Sequence, residues 1–248
     1  GALSFQLVSN LLGARRRISM PFAGGHNVYN ALAAAAISSQ FGAGISDIEE
    51  GLGEARLPEM RFEGMTLSGV TVINDAYNAK PGSTRCVICS YCEWVAPSKR
   101  IFVIGDMLEL GRDAAEAHRE IGCFMKSMPI DYVIALGELA PLVVEGAFGP
   151  AHRGAGGDWL GGEETVKPSS PLRLCVESAK STERRDAKPG RRWACCQSVE
   201  EVVSVLRKVT VPGDAVLIKG SRANGMERIV DALNPIAECG VRIAECRR

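Results

Sequence analysis

Three short, unbroken apolar runs most constrain how this chain can fold: Ile101-Phe102-Val103-Ile104, Tyr132 to Leu136, and Ala215 to Ile218. Each is too short for a typical helix, and segments of helical character lie between and after them. A strand that is apolar on both faces has to be covered on both faces. Alternation of such strands with helices predicts a parallel sheet wrapped in helices. The spacing places helices over Ser83–Val95 and over Asp113–Met128, where Ala114, Ala117, Ile121 and Phe124 form one stripe. A further helix opens at Ser198-Val199-Glu200-Glu201 and carries Val202, Val203, Leu206 and Val209, and a last one covers Gly225–Leu233. Ahead of them, Met65–Leu67 and Val70–Ile73 flank Ser68-Gly69, the pattern of a hairpin.

The first part of the chain reads differently. Ala31 to Ile37 is almost pure alanine, within a helix expected over residues 27–41. Gly42 and Gly44 end it, and Ser46-Asp47-Ile48-Glu49 reads as a capping box opening a second, short helix. Leu57-Pro58 breaks that pattern, so a domain boundary is expected there, dividing 1–57 from 58–248. From about residue 149 to 192 the chain is rich in Gly, Arg, Ser and Pro, which predicts a long mobile loop or insertion. Its Arg184-Arg185 and Arg191-Arg192 pairs lie near Glu163, Glu164, Glu183 and Asp186, so they read as a solvated loop before they read as a nucleic-acid contact.

Composition excludes several classes. In 248 residues, 29 basic side chains balance 29 acidic ones, so no surface is built mainly to neutralise a phosphate backbone. No run of about 18 apolar residues could span a membrane. The opening residues lack the basic start and apolar core of a secretory signal, which predicts a cytoplasmic setting. The nine cysteines are odd in number and are expected to be reduced. Cys86, Cys89 and Cys92, spaced by three, invite a metal reading. A helix carrying small thiols on one face explains them better, because a fourth ligand at the usual spacing is missing. No metal ligands are assigned.

Four segments could carry chemistry. Gly24-Gly25-His26-Asn27-Val28-Tyr29-Asn30 stands at a helix start, where free N–H groups favour anions. Asn27 and Asn30 are three apart and face one side, and their amides suit an adenine edge. Alternatively, Asn27 only caps the helix. Met60-Arg61-Phe62-Glu63 offers a planar guanidinium fork for phosphate, or a plain surface ion pair. The stretch from Asn74 to Ser83 follows a strand and brings Asp75, Tyr77, Asn78, Lys80 and Ser83 together, at the end where open α/β sheets bind ligands. Turn chemistry explains it equally well. Gly105-Asp106-Met107-Leu108-Glu109-Leu110-Gly111 and Lys219-Gly220-Ser221-Arg222 are also strand-end loops. Asp106 and Glu109 could hold a metal or simply shape their loop, and the cations of the second loop suit a carboxylate or phosphate.

Taken in order, "GGHNVYNALAAAAI", "MRFEG", "VTVINDAYNAKPGS", "VIGDMLELG", "AHREIG" and "GDAVLIKGSRANGMERIV" resemble the Mur ligases of peptidoglycan synthesis over most of residues 20–145 and 212–233. "GDMLELG" and "KGSR" followed by "ME" favour the branch that adds D-alanyl-D-alanine to UDP-N-acetylmuramoyl-tripeptide. The resemblance implies an α/β fold: a Rossmann-like, mostly parallel C-terminal domain preceded by the helical end of a truncated central ATPase domain. It implies a carbon–nitrogen ligase using ATP and Mg2+, in which ATP phosphorylates the tripeptide carboxylate and the dipeptide amine attacks the acyl phosphate. It implies that Asn27 and Asn30 hold adenine, Arg61 reaches the phosphates and Asp75 the ribose. Tyr77, Asn78 and Lys80 then lie near the dipeptide, with Lys219, Ser221 and Arg222 at the closing face. It also implies a monomeric full-length enzyme.

Two departures qualify this. The family usually has Asn where Lys80 stands. No Gly-rich loop ending in Gly-Lys-Thr or Gly-Lys-Ser occurs. The chain is therefore expected to be a fragment that is inactive alone and exposes apolar surface on its alanine-rich helix. Two other readings stand beside this one: a non-catalytic nucleotide- or peptide-binding module derived from a ligase, and a sibling ligase using another amino acid or a folate substrate.

Overall fold

The computed structural model describes residues 3–10, 13–22, 24–149, 162–164 and 191–234. Strands β1 (Leu3–Ser9) and β2 (Ala14–Met20) pair antiparallel, and helices α1 (His26–Gln40) and α2 (Ile45–Glu54) follow. Leu7, Ile18, Met20, Ala31, Ala35 and Ile48 form a small core among these four elements. The helices expected here are present, and the hairpin ahead of them was not anticipated. α2 starts earlier than the Ser46 box implied. Gly44 is its N-cap, and the Asp47 carboxylate accepts the Gly44 N–H at 2.8 Å.

The rest of the described chain builds one seven-stranded sheet. Its elements are β3 (Glu63–Leu67), β4 (Val70–Asp75), α3 (Pro81–Trp94), β5 (Arg100–Gly105), α4 (Ala114–Met125), β6 (Tyr132–Leu136) and α5 (Pro141–Phe148). They continue with β7 (Gly162–Glu164), β8 (Arg191–Cys196), α6 (Val199–Val209), β9 (Ala215–Lys219) and α7 (Glu227–Leu233). The strand order is β3-β4-β9-β5-β6-β8-β7. The five central strands run parallel, and β3 and β7 are antiparallel edges. Ser68 and Gly69, both at positive φ, turn β3 into β4 as their spacing predicts.

Alternation along each central strand feeds two cores. Ile73, Phe102, Ile104, Val133, Ala135 and Leu217 meet α3, α4 and α5 on one face. Val72, Ile101, Val103, Ile134, Val216 and Ile218 meet α6 and α7 on the other. The chain steps from β4 across to β8 with its helices on the first face. It then returns to β9, between β4 and β5, with α6 on the second face. Right-handed crossovers impose this change of face when the direction reverses.

The insertion expected from about 149 to 192 needs correcting where it is described. Gly162–Glu164 and Arg191–Cys196 are strands, so Arg191-Arg192 opens β8 and is not loop. The charged start of β8 hid it, since of residues 192–196 only Trp193 and Cys196 are fully buried. The rest of that stretch lies outside the described residues, as do Cys175, Cys239 and Cys246. Helix α5 was also unanticipated. Its sequence carries no local N-cap; instead the Asp106 carboxylate accepts N–H bonds from Glu138, Leu139 and Ala140 at 3.1, 2.9 and 2.6 Å. Gly137, at φ 120, brings the backbone against that carboxylate, where a Cβ would not fit. Cys86, Cys89 and Cys92 lie on α3, and among the described residues no three His, Cys, Asp or Glu side chains converge on a metal-sized point.

Candidate active site

The parallel strands β4, β9 and β5 lie side by side, and their carboxyl ends form one rim. At its centre is a buried ion pair. Lys219, 1% exposed at the end of β9, donates from Nζ to Asp75 Oδ2 at 2.5 Å and to the Asn78 carbonyl at 2.8 Å. The other carboxylate oxygen, Asp75 Oδ1, accepts the Phe62 N–H at 2.8 Å. Two buried charges are tolerable here because the pair is close and its remaining hydrogen bonds are satisfied.

That Phe62 bond shapes the loop carrying Arg61. Met60 and Phe62 both have positive φ, at 57° and 51°, which residues with a Cβ adopt only when their surroundings hold them. The Asp75 carboxylate holds one side, and the Tyr77 N–H donating to the Met60 carbonyl at 3.1 Å holds the other. Arg61 thereby stands over the Tyr77 ring, 4.2 Å from its centroid, and Arg222 approaches the same ring at 5.9 Å. Among the described residues neither guanidinium is in an ion pair. Two exposed, planar cations on one aromatic platform form a receptor for an oxyanion.

The start of α1 borders this rim. The His26 ring meets Phe62 edge-on at 6.0 Å, and its Nδ1 lies 3.4 Å from Ser90 Oγ on α3. Burial holds the His26 pKa below its ordinary value; the nearby Asp75 charge opposes that shift and Lys219 adds to it. Asn30 Nδ2 donates to Asn27 Oδ1 at 3.1 Å, so the two amides do share one side of the first turn. Asn27 is buried and is not the cap; Gly25 holds that position without a side-chain bond.

The last two loops complete the rim. Lys80 Nζ donates to the Leu108 carbonyl at 3.0 Å and to Glu109 Oε2 at 3.1 Å. Ser221, buried, accepts the Leu108 N–H on Oγ at 2.9 Å. The structure therefore brings Arg61, Asp75, Tyr77, Asn78, Lys80, Lys219, Ser221 and Arg222 to one rim, with Asn27 and Asn30 at its border. Sequence reasoning missed Phe62, which holds a loop, and the role of Asp106, which caps a remote helix. The only signal for Phe62 was its place beside Arg61.

Residues 60–155 match the family model "Mur ligase, glutamate ligase domain". Over these residues the chain is similar to the C-terminal domain of the Mur ligases. Among curated relatives, the UDP-N-acetylmuramoyl-tripeptide–D-alanyl-D-alanine ligase of Bacillus subtilis is 38% identical over 55% of this chain, and that of Mycobacterium bovis 30% identical over 92%. The chain spans only 30% and 41% of those two proteins. MurF from Acinetobacter baumannii shares the fold at a TM-score of 0.69 and 24% identity, over 94% of this chain and 42% of its own. MurF ligase from Thermotoga maritima, solved in complex with ADP, does so at 0.65 and 17%, over 97% and 47%. The matched stretch thus begins at Met60, within the strained loop that carries Arg61.

Proposed function

We propose that this chain forms the nucleotide-closing part of an ATP-dependent ligase of peptidoglycan precursor synthesis, one that joins D-alanyl-D-alanine to UDP-N-acetylmuramoyl-tripeptide through an acyl phosphate. The observation that carries this reading is the pair of guanidiniums, Arg61 and Arg222, in no ion pair among the described residues and gathered on Tyr77 beside the buried Lys219–Asp75 pair. That donor set fits an ATP polyphosphate or an acyl phosphate. In this reading Asn27 and Asn30 take the adenine edge, and Arg61 takes the phosphates. Asp75 reaches the ribose with the lone pairs left after Phe62 and Lys219. Tyr77, Asn78 and Lys80 face the dipeptide. Ser221 and Arg222 close over it, while Lys219 holds the Asp75 and Asn78 segments in place. ATP supplies the phosphoryl group that activates the carboxylate. Magnesium is ordinarily held by one or two carboxylates together with substrate phosphates, so it would come with the nucleotide and would spread the transferring charge. The reaction would run in the cytoplasm, with a monomeric full-length enzyme.

Supporting this reading are the relatives' names and the order of the motifs. The chain's lack of a Gly-Lys-Thr or Gly-Lys-Ser loop favours binding without turnover by these 248 residues alone. The test uses a chain extended to the relatives' length, measuring ADP release with UDP-N-acetylmuramoyl-tripeptide and D-alanyl-D-alanine. Arg61→Met and Arg222→Met should each lower turnover by about 100-fold, as loss of a positioned charge at a phosphoryl-transfer site does. Turnover unchanged in both would overturn the assignment. Robust ADP release by the 248-residue chain itself would overturn the expectation that it is inactive alone.

A further inference from the structure

Three loops leave the rim: 76–80 after β4, 106–110 after β5 and 220–224 after β9. Each pair is tied. The first and third meet through Lys219 and the Asn78 carbonyl. The second and third meet through the Leu108 N–H on Ser221 Oγ, and through the Ser221 N–H and Asn224 Nδ2 on the Asp106 carbonyl, at 3.3 and 3.1 Å. The remaining side is closed by Lys80, whose ammonium reaches the Leu108 carbonyl and the Glu109 carboxylate. Leu108 is thus gripped at both ends: Ser221 takes its N–H and Lys80 its carbonyl. Glu109, next in the chain, sits at φ 60, a left-handed conformation unfavourable for a residue with a Cβ.

We infer that Lys80 is a positioning residue: it locks the 106–110 loop against the 76–80 loop and so sets where Tyr77 and Asn78 stand. The bond to the carbonyl, and not the ion pair, does this. The Glu109 side chain is 85% exposed, and an ion pair that open to water contributes little. A charged donor to a backbone carbonyl is the stronger tie. Its bearing on the dipeptide rests on the function proposed above, whereas the loop lock itself does not.

Two measurements on the 248-residue chain test this. Native-state hydrogen exchange at the Leu108 N–H should be about tenfold faster in Lys80→Met, and within twofold of wild type in Lys80→Arg and Glu109→Gln. Amides of β5 should be unchanged. An unchanged Leu108 rate in Lys80→Met, or an acceleration that β5 shares, would overturn the lock. D-alanyl-D-alanine is then titrated while the Tyr77 and Asn78 amide shifts are followed. The apparent Kd should rise at least threefold in Lys80→Met and recover in Lys80→Arg. Equal Kd values in wild type and Lys80→Met would overturn the link to the dipeptide. Wild-type shifts that stay put at saturating dipeptide would overturn the dipeptide reading, while the exchange result still decides the lock.

Discussion

At the scale of single residues, the rim depends on a few buried polar atoms with no spare partners. The Asp75 carboxylate serves Phe62 on one oxygen and Lys219 on the other. Asp75→Asn leaves the Lys219 ammonium buried without a counter-charge and should destabilise the fold by about 3–5 kcal/mol. Lys219→Met in the same background should restore part of that loss. Urea unfolding of the single and double variants would show it, and additive losses would argue against coupling. His26 makes the fold sensitive to pH. Burial lowers its pKa in the folded chain from the ordinary 6.5, so folding favours the neutral ring. Its contribution is therefore complete above the unfolded value and declines as pH falls from there toward the lower folded value. The urea midpoint should drop over that window in the wild type and drop less in His26→Gln. Equal slopes would remove His26 as the cause. His118 is a buried structural histidine of the core: its Nε2 accepts the Met107 N–H at 2.9 Å and its Nδ1 faces the Ala114 carbonyl at 2.6 Å.

At the scale of elements, the packing of α4 on α5 is the closest in the domain. A Cβ on Gly122 would run into the Val143 carbonyl, and one on Gly146 into the Arg119 carbonyl. These two backbones touch, and no side chain can be inserted without parting the helices. Gly122→Ala should therefore cost about 3 kcal/mol or more, although alanine is the better helix former. Gly51 in α2 has open space around its missing Cβ. Gly51→Ala should stabilise by about 0.5–1 kcal/mol. Thermal unfolding of the two variants should move in opposite directions, and a stabilising Gly122→Ala would show that the two helices can separate freely. Neither outcome is readable from a helical glycine in sequence, because the sign depends on what lies across the gap.

At the scale of the whole molecule, two cores share one sheet and a third stands apart in residues 3–54. The third is small, and α1 leaves Tyr29, Ile37 and Phe41 at 65%, 61% and 87% exposure along one side. These residues flank the alanine run, where exposed apolar surface was expected. The chain should enhance the fluorescence of a hydrophobic dye at neutral pH, and a double change of Ile37→Lys and Phe41→Lys should remove most of the signal. A chain that never brightens the dye would show that this face is covered in solution. The boundary placed between 57 and 58 remains our proposal. The separation of the small core from the other two supports it, and so does the family match beginning at residue 60.

The sequence by itself pointed to the class of fold and to the strand-end loops of the rim. Doubly buried strands alternating with helices point to a helix-covered parallel sheet, which gathers the loops after β4, β5 and β9 at its strand ends, whereas tertiary contacts bring the Arg61 loop and the start of α1 there. Local periodicity also settled α1, α3, α4, α6 and the β3–β4 turn. Only the tertiary structure decided what each polar group does there. Lys219 reads as a free cation in sequence and is a buried strut, because β9 inserts between β4 and β5 and carries it against Asp75. Asp106 reads as a possible metal ligand and caps α5 from 34 positions away. Helix α5 and strand β8 were hidden for the same reason. Their signals, a remote cap and a pairing with β6, come from partners distant in the chain, and no local pattern of residues records such a partner.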